Sequence, residues 1–280
     1  SPAPPGGRVP LMPRARPARG VRPVRTLLAS ALTASVVAFG GPVAAQPAAS
    51  AIAFTDVTAS SGIDFVMTSG GTPSREILEV NGGGVAMLDF DNDGDLDLLF
   101  ANGATMEDPE RGPGSRLYAN RGDGTFRDVT AAVGIDLRRW AMGVAVADYD
   151  GDGFDDIYVT CYGPNVLLRN TPDGSGGRRF VDVAAEAGVA DARWGTSAAF
   201  GDLDGDGDLD LYVVNYLEFD PESPPDRTGK VYRGVPVMAG PAGLAAQGDV
   251  LYENRGGGTP AFEDVTEQHP RTLAAGPGPG

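Results

Sequence analysis

The sequence has only one cysteine, one histidine and one lysine, at Cys161, His269 and Lys230. A lone cysteine excludes an intrachain disulfide framework and a cysteine-rich zinc site. A lone histidine argues against a histidine-based catalytic triad and against a metal site built from several histidines. Few bases are therefore left for acid–base catalysis.

Positive charge is also scarce: 22 Lys and Arg stand against 38 Asp and Glu, which gives a net charge of −16. Nucleic acids and anionic membrane surfaces attract Lys and Arg, so this balance argues against both as partners. The 41 Gly and 23 Pro are many for a helical protein but stop short of low complexity. A length of 280 residues suits one large domain or two small ones.

The first 45 residues differ from the rest because all their charged residues are arginines. The arginines precede a short apolar stretch, Leu27 to Phe39, and small residues follow it up to Ala45. This order is typical of a secretory signal peptide, and the apolar stretch is too short to span a bilayer. We predict a leader and signal peptide over 1–45 and a linker over 46–53. A disordered Arg/Pro-rich leader is the alternative.

Cleavage after Ala45 would export a mature chain that does not insert into the membrane, to the periplasm or the outside. No Arg-Arg pair precedes the apolar stretch, which favours the general secretory route.

Three sequence elements recur along the rest of the chain, which indicates a repeat protein. A Phe-x-Asp-Val element begins at Phe54, Phe126, Phe180 and Phe262. An acidic nonamer occupies residues 89–97, 148–156 and 202–210. A Leu-x-x-Asn element ends at Asn120, Asn170 and Asn254.

Short runs of β-branched and aromatic residues separate these elements, and Gly, Asp and Asn clusters bound the runs, which predicts strands. Each repeat reads as strand A, acidic hairpin loop, strand B, strand C, tight turn and strand D. Such four-stranded antiparallel units predict an all-β fold, a partial β-propeller of about three blades. The predicted repeat region spans 54–270, with blades at about 83–130, 143–184 and 197–266 and a disordered tail over 271–280. An elongated β-solenoid is the alternative.

The acidic nonamers predict three calcium sites. Calcium takes six to eight hard oxygen ligands, and alternate carboxylates on a tight loop point at one centre. We predict ligands at positions 1, 3, 5 and 9 and at the carbonyl of position 7. In the first loop these are Asp89, Asp91, Asp93, Asp97 and Asp95. In the second loop they are Asp148, Asp150, Asp152, Asp156 and Phe154, and in the third Asp202, Asp204, Asp206, Asp210 and Asp208.

Acidic turns without metal are the alternative, although carboxylates crowded into one turn repel one another strongly without a cation. An EF-hand loop is excluded because it needs a bidentate Glu at position 12 and flanking helices. Position 12 is Phe100, Val159 or Val213 here, and the flanks are predicted strands.

These nonamers resemble the loops of FG-GAP/VCBS repeats, which occur in integrin α-chain propellers and many exported bacterial proteins. Two further elements narrow the resemblance: the turn from Gly122 to Phe126, and Arg193-Trp194-Gly195-Thr196. Together they resemble the N-terminal part of the cartilage-acidic-protein-like family, whose members often carry a C-terminal ASPIC/UnbV domain. The match covers about residues 54–268. The resemblance implies a calcium-binding propeller outside the cytoplasm and implies no known reaction.

The repeats do not close on themselves, because an orphan strand D at 54–58 lacks strands A to C. We expect the chain to be the N-terminal part of a longer propeller or a degraded copy. Its open apolar faces predict self-association.

Other features have two interpretations each. Trp140 and Trp194 are predicted to pack between blades, with an exposed sugar-stacking platform as the alternative. The tripeptide Arg121-Gly122-Asp123 fits turn chemistry better than adhesion. The Pro-rich insertion over 217–249 makes Tyr216, Glu218, Tyr232 and Arg233 candidate ligand contacts.

The predicted function is therefore an exported calcium-binding propeller module that binds a protein or glycan, as in adhesion, with calcium in a structural role. Two alternatives remain at this stage. One is a polysaccharide-active lyase or hydrolase on the same scaffold, and the other is a structural spacer within a larger surface protein.

Overall fold

The computed structural model describes residues 53–226, 230–237, 240–241, 243–256 and 262–269. The predicted leader and signal peptide (1–45), nearly all of the linker (46–53) and the tail (271–280) lie outside the described residues. The described part is all-β and contains three four-stranded antiparallel sheets, each in the predicted order A-B-C-D. This architecture confirms the predicted partial β-propeller, and each sheet is one blade.

The bounds of the strands are as follows. The first blade consists of β1 (Val85–Leu88), β2 (Asp97–Phe100), β3 (Arg116–Asn120) and β4 (Phe126–Asp128). The second consists of β5 (Ala141–Ala147), β6 (Asp156–Cys161), β7 (Val166–Pro172) and β8 (Arg178–Asp182). The third consists of β9 (Gly195–Gly201), β10 (Asp210–Asn215), β13 (Val250–Asn254) and β14 (Phe262–Asp264). A separate hairpin of β11 (Val231–Tyr232) and β12 (Val235–Pro236) lies within the insertion.

The register of each A–B pair ends at the acidic nonamer. Leu88 pairs with Asp97, Ala147 with Asp156 and Gly201 with Asp210. The nonamer is thus the hairpin loop that joins strands A and B, as predicted, and its last residue pairs with the residue that precedes its first.

Two hydrophobic cores lie between neighbouring blades. The core between the first and second blades includes Leu99, Leu117, Ile157 and Leu168, all of them buried. The core between the second and third includes Tyr158, Leu167, Leu211, Val213 and Tyr252. Successive side chains of a strand point to opposite faces, so each blade contributes alternate residues to the two cores on its sides.

Helices are short in the described part: α1 (Thr58–Ser61), α2 (Ala184–Ala187) and the 3-10 turns Ile77–Val80 and Thr266–Gln268. None of them is long and apolar enough to cross a membrane.

The two tryptophans belong to a third core. Trp140 and Trp194 are buried beside Leu78 and Phe219, and the Tyr216 ring lies edge-on to Trp194 at 5.2 Å between centroids. This burial confirms the packing interpretation and shows that the alternative, a sugar-stacking platform, is wrong. Tyr216 is likewise partly buried in this core rather than presented as a free contact.

The orphan strand predicted at 54–58 is not a strand. Residues 54–57 are irregular, α1 begins at Thr58, and Phe54 is 97% exposed. A strand needs a hydrogen-bonded neighbour, and the other three copies of the element pair with their own strand C. Among the described residues, no such neighbour lies beside this copy. The strand that its sequence favours therefore does not form.

The first strands of the second and third blades, β5 and β9, lie close together at Gly143. A Cβ on Gly143 in β5 would lie 2.7 Å from the carbonyl oxygen of Thr196 in β9. By contrast, a Cβ on Gly82 would have no neighbour within 4 Å.

We therefore expect Gly143→Ala to lower the free energy of unfolding by about 1–3 kcal/mol, because the added methyl forces neighbouring backbones apart. Gly82→Ala is the matched control and should change it by less than about 0.5 kcal/mol. Urea unfolding of both variants measures the difference. Equal stability of the two variants would contradict this close packing.

Candidate metal centres

Each acidic loop gathers three carboxylates. The groups are Asp89, Asp91 and Asp97 in the first loop, Asp148, Asp150 and Asp156 in the second, and Asp202, Asp204 and Asp206 in the third. Within each group, one carboxylate oxygen per residue lies within 4.8 Å of the others. Oxygen-only donor sets of this kind suit hard divalent cations such as calcium.

Backbone hydrogen bonds explain the fold of the loops. In the second loop the Asp148 carboxylate accepts the N–H groups of Asp152 and Gly153, at 3.0 and 2.9 Å. Asp89 accepts the equivalent pair in the first loop. Position 6 has positive φ in all three loops, for example +89° at Gly153, which confirms the predicted role of glycine in the turn.

The carboxylate at position 9 is the most buried member of each loop. Asp97, Asp156 and Asp210 are at most 3% exposed. In each case one oxygen accepts the backbone N–H of the asparagine of the Leu-x-x-Asn element in strand C, at 2.7–3.0 Å. In the first and third loops the other oxygen accepts the N–H of position 2. Position 9 thus fastens the A–B hairpin to strand C.

One of these oxygens is unsatisfied. Asp156 Oδ2 is buried and no hydrogen bond of full geometry reaches it among the described residues, although the backbone N–H of Tyr149 lies close enough to lower the pKa of the carboxyl. A buried carboxylate oxygen is costly unless it is paired or coordinates a metal. The second loop therefore fits a bound cation on geometric grounds.

Burial and mutual repulsion shift the pKa values of these groups. Burial raises the pKa of Asp156 to about 8, and the charges of Asp150 and Asp152 act in the same direction. Burial raises the pKa of Asp97 to about 6. The pKa values of Asp91 and Asp150 are also raised, by burial and by the neighbouring carboxylates. Each shift expresses the cost of negative charge in a cluster of acids without a cation.

In the first two loops, the side chains at positions 5 and 7 do not belong to the gathered carboxylates. Asp152 forms an ion pair with Arg178 at 3.2 Å, and the Arg178 guanidinium also lies 3.5 Å from the centroid of the Phe154 ring. The side chain of Asp95 faces Gly122 in the C–D turn, and that of Asp208 faces Gly256. Position 7 therefore directs its side chain to the turn, which agrees with the prediction that only its carbonyl is a ligand.

The third loop differs from the other two. It brings Asp206 at position 5 into the group, whereas Asp210 at position 9 stays outside it. Both oxygens of Asp210 accept backbone N–H groups, from Leu203 and Asn254. Of the predicted ligands, positions 1 and 3 are gathered in every loop, and ligation by all of them remains a prediction.

Sequence reasoning missed two features of these loops. Position 4 also has positive φ, +58° at Asn92 and +71° at Gly151, and the Asn or Gly at that position was the available signal. The role of the strand-C asparagines was missed too, although their repetition was visible. No sequence pattern pointed to a role for Arg178 in the second loop, because no other repeat has an equivalent arginine.

The remaining candidates are in the turns and the insertion. In the tripeptide Arg121-Gly122-Asp123, the Asp123 carboxylate accepts the N–H and hydroxyl of Thr125, as turn chemistry predicts. Glu218 is exposed in the insertion. Tyr232 is exposed on the β11–β12 hairpin, with the Arg233 guanidinium 5.3 Å from its ring centroid.

Comparison with known families identifies these repeats. A sequence model of the FG-GAP-like repeat matches residues 89–159 and 148–213, so both matches begin at position 1 of an acidic loop. The chain therefore contains FG-GAP-like repeats, as the resemblance predicted.

Two curated relatives support the narrower resemblance. Cartilage acidic protein 1 of Homo sapiens is 36% identical over 111 residues, which cover 39% of this chain and 16% of the human protein. Cartilage acidic protein 1 of Mus musculus is 34% identical over 110 residues, 39% of this chain and 17% of the mouse protein. The chain spans about a sixth of the length of these relatives.

The raised pKa values predict a pH-dependent stability in buffer stripped of divalent cations. Between about pH 4 and 8 the folded protein binds more protons than the unfolded chain, whose Asp residues have a pKa near 3.8. The free energy of unfolding should therefore fall as the pH rises through this range. Asp156→Asn should flatten the dependence, because the amide does not ionise.

Urea unfolding at pH 5 and pH 8 measures this change. Asp136→Asn removes a carboxylate that is 76% exposed and outside the three groups, so it serves as the control. Equal slopes for the wild type and Asp156→Asn would refute the assignment of the pH dependence to this loop.

Proposed function

We propose that this chain is an exported calcium-binding repeat module that contacts a protein or glycan, with calcium ions holding its A–B hairpins. The observation that carries the proposal is the buried Asp156 oxygen without a hydrogen bond of full geometry, which lies in a loop with two further gathered carboxylates. A cation in that position would satisfy the oxygen and neutralise the group.

Calcium suits these loops better than magnesium does. Magnesium demands near-ideal octahedral geometry and gives up its water reluctantly, whereas calcium accepts six to eight oxygens in flexible geometry. Each loop offers three gathered carboxylates, and we expect the backbone carbonyl at position 7 to add a further oxygen. Extracellular modules bind calcium with dissociation constants of about 10⁻⁴–10⁻³ M, which matches the exposed third loop.

The N-terminal sequence supports export. Its arginines, its short apolar stretch and its small-residue exit have the order of a secretory signal peptide. Extracellular and periplasmic spaces would supply the calcium that the loops require. The relatives bear the name cartilage acidic protein.

A partner surface is suggested by the insertion in the third blade. Its hairpin exposes Val231, Tyr232 and Val235, each about 60% accessible. Exposed apolar and aromatic side chains on a projecting hairpin favour contact with a protein or with the face of a sugar ring. In the described part of the chain, the groups of three gathered carboxylates all belong to the acidic loops, where we assign them to calcium. We therefore prefer a binding module to an enzyme.

Calcium should raise the midpoint of thermal unfolding of the full chain, since a ligand that binds only the folded state stabilises it. At a calcium concentration 100 times the dissociation constant, each site contributes about 2.7 kcal/mol. Asp150→Ala should reduce the rise, because it removes a carboxylate from the second loop. Differential scanning calorimetry with calcium, magnesium or chelator measures these effects.

Asp136→Ala is the matched control, because it removes an exposed carboxylate that belongs to none of the groups. It should leave the calcium-induced rise intact. The proposal fails if calcium gives no rise, or if Asp150→Ala and Asp136→Ala respond equally to calcium.

A further inference from the structure

Arg178 in β8 lies against the second acidic loop. Its guanidinium donates to Oδ2 of Asp152 at 3.2 Å, and the guanidinium carbon lies 3.5 Å from the centroid of the Phe154 ring. Only 11% of the Arg178 side chain is exposed. Among the ion pairs of the described residues, this one alone includes a predicted calcium ligand.

The ion pair occupies the second oxygen of the carboxylate at position 5. In every loop the first oxygen of this carboxylate accepts the backbone N–H of position 7, at 2.9–3.0 Å. In the second loop Arg178 takes the other oxygen of Asp152. Asp93, at position 5 of the first loop, forms no ion pair within the described part of the chain. The second loop therefore differs from the first in having a carboxylate that is already paired with a cation.

The arginine also replaces a hydrogen-bond donor that the second blade lacks. In the first and third blades, the side-chain oxygen of the strand-C asparagine accepts the backbone N–H two residues later, from Gly122 or Gly256. In the second blade that position is Pro172, which has no N–H. Arg178 Nε donates to the Asn170 side-chain oxygen instead, at 2.9 Å, and Arg178 Nη2 donates to the Asn170 carbonyl at 3.0 Å. These bonds hold the guanidinium beside the loop.

Position 7 differs in the same blade. Asp95 and Asp208 direct their carboxylates at the turn glycines of the first and third blades, whereas the second loop has Phe154 at this position. Its ring packs on the Arg178 guanidinium, which is a favourable contact for a cation. Phe154, Pro172 and Arg178 thus form one local arrangement that the other two blades lack.

We propose that Arg178 is a resident counter-cation of the second loop, which holds Asp152 in the absence of calcium and competes with calcium for it. This inference rests on the calcium function proposed above and assigns a residue that sets the affinity of one site. A calcium ion that takes Asp152 as a ligand must break the ion pair. The guanidinium stays charged at every pH that the folded protein tolerates, so its repulsion of the ion persists as well. The arginine therefore weakens calcium binding by the second loop.

A calcium titration of the full chain, followed by NMR of labelled glycine amides, tests this proposal. The N–H of Gly153 lies in the second loop and that of Gly94 in the first, and both donate to the position-1 carboxylate, so each signal reads its own loop. Arg178→Gln removes the charge. It should lower the calcium dissociation constant at Gly153 by about fivefold or more and leave the value at Gly94 within about twofold.

Three further variants separate charge from structure. Arg179→Gln is the matched control, because it removes the same charge from the exposed neighbouring residue of β8, and it should change the dissociation constant at Gly153 by less than about twofold. Arg178→Lys keeps a charge beside Asp152, so binding at Gly153 should stay within about twofold of the wild type. Arg178→Met keeps an apolar stem against Phe154 and is the second variant without charge, with the same expected gain as Arg178→Gln.

A purely structural role of Arg178 would lower the midpoint of thermal unfolding without tightening calcium binding. An unchanged or raised dissociation constant at Gly153 in Arg178→Gln and Arg178→Met would therefore overturn the inference. So would an equal gain in Arg179→Gln or in Arg178→Lys. If calcium shifts neither glycine signal, the proposed function fails and this inference fails with it. Shifts of both signals without an effect of Arg178 would overturn this inference alone.

Discussion

The structure depends on a buried carboxylate at the first residue of strand B in every blade. Asp97, Asp156 and Asp210 lose their hydration almost completely, which costs free energy unless donors or a cation replace the water. Backbone N–H groups replace part of it, and one of them in each blade comes from the asparagine in strand C. At Asp156 one oxygen stays unsatisfied among the described residues, and the gathered neighbours add repulsion. Under our proposal calcium removes both costs.

The same asparagines connect the blades to one another. The backbone N–H of Asn170 binds Asp156 in its own blade, while its side chain binds the carbonyl of Phe90 in the preceding blade. Asn254 repeats this arrangement with Asp210 and Tyr149. The loops also touch directly, since Asn92 donates to the carbonyl of Gly153 at 2.8 Å. A cation that fixes one loop would therefore also fix the position-2 residue on which the next blade packs, and this links metal binding to the assembly of the propeller.

Sequence patterns predicted what is local and repeated. Four-stranded blades, hairpin loops and the turn glycines follow from strand propensity, turn chemistry and the recurrence of the nonamer, all of which act over a few residues. The predictions failed where a distant neighbour decides. Residues 54–57 carry a strand sequence without a strand to pair with. The burial of Trp194 was predicted, but its partner Phe219 belongs to an insertion whose path no periodicity reveals. Arg178 joins the second loop through a cross-strand contact that the other repeats lack. The repeated asparagines were visible, but their acceptors lie one repeat away.

Anomalous diffraction from crystals grown with calcium tests the central claim most directly, because it locates the ions and identifies their ligands together. Our account predicts a peak in each of the three loops, with carboxylate oxygens at about 2.3–2.6 Å, including Asp156 Oδ2 in the second loop. Loops without peaks at saturating calcium, with Asp156 Oδ2 satisfied by water or by a side chain instead, would contradict it.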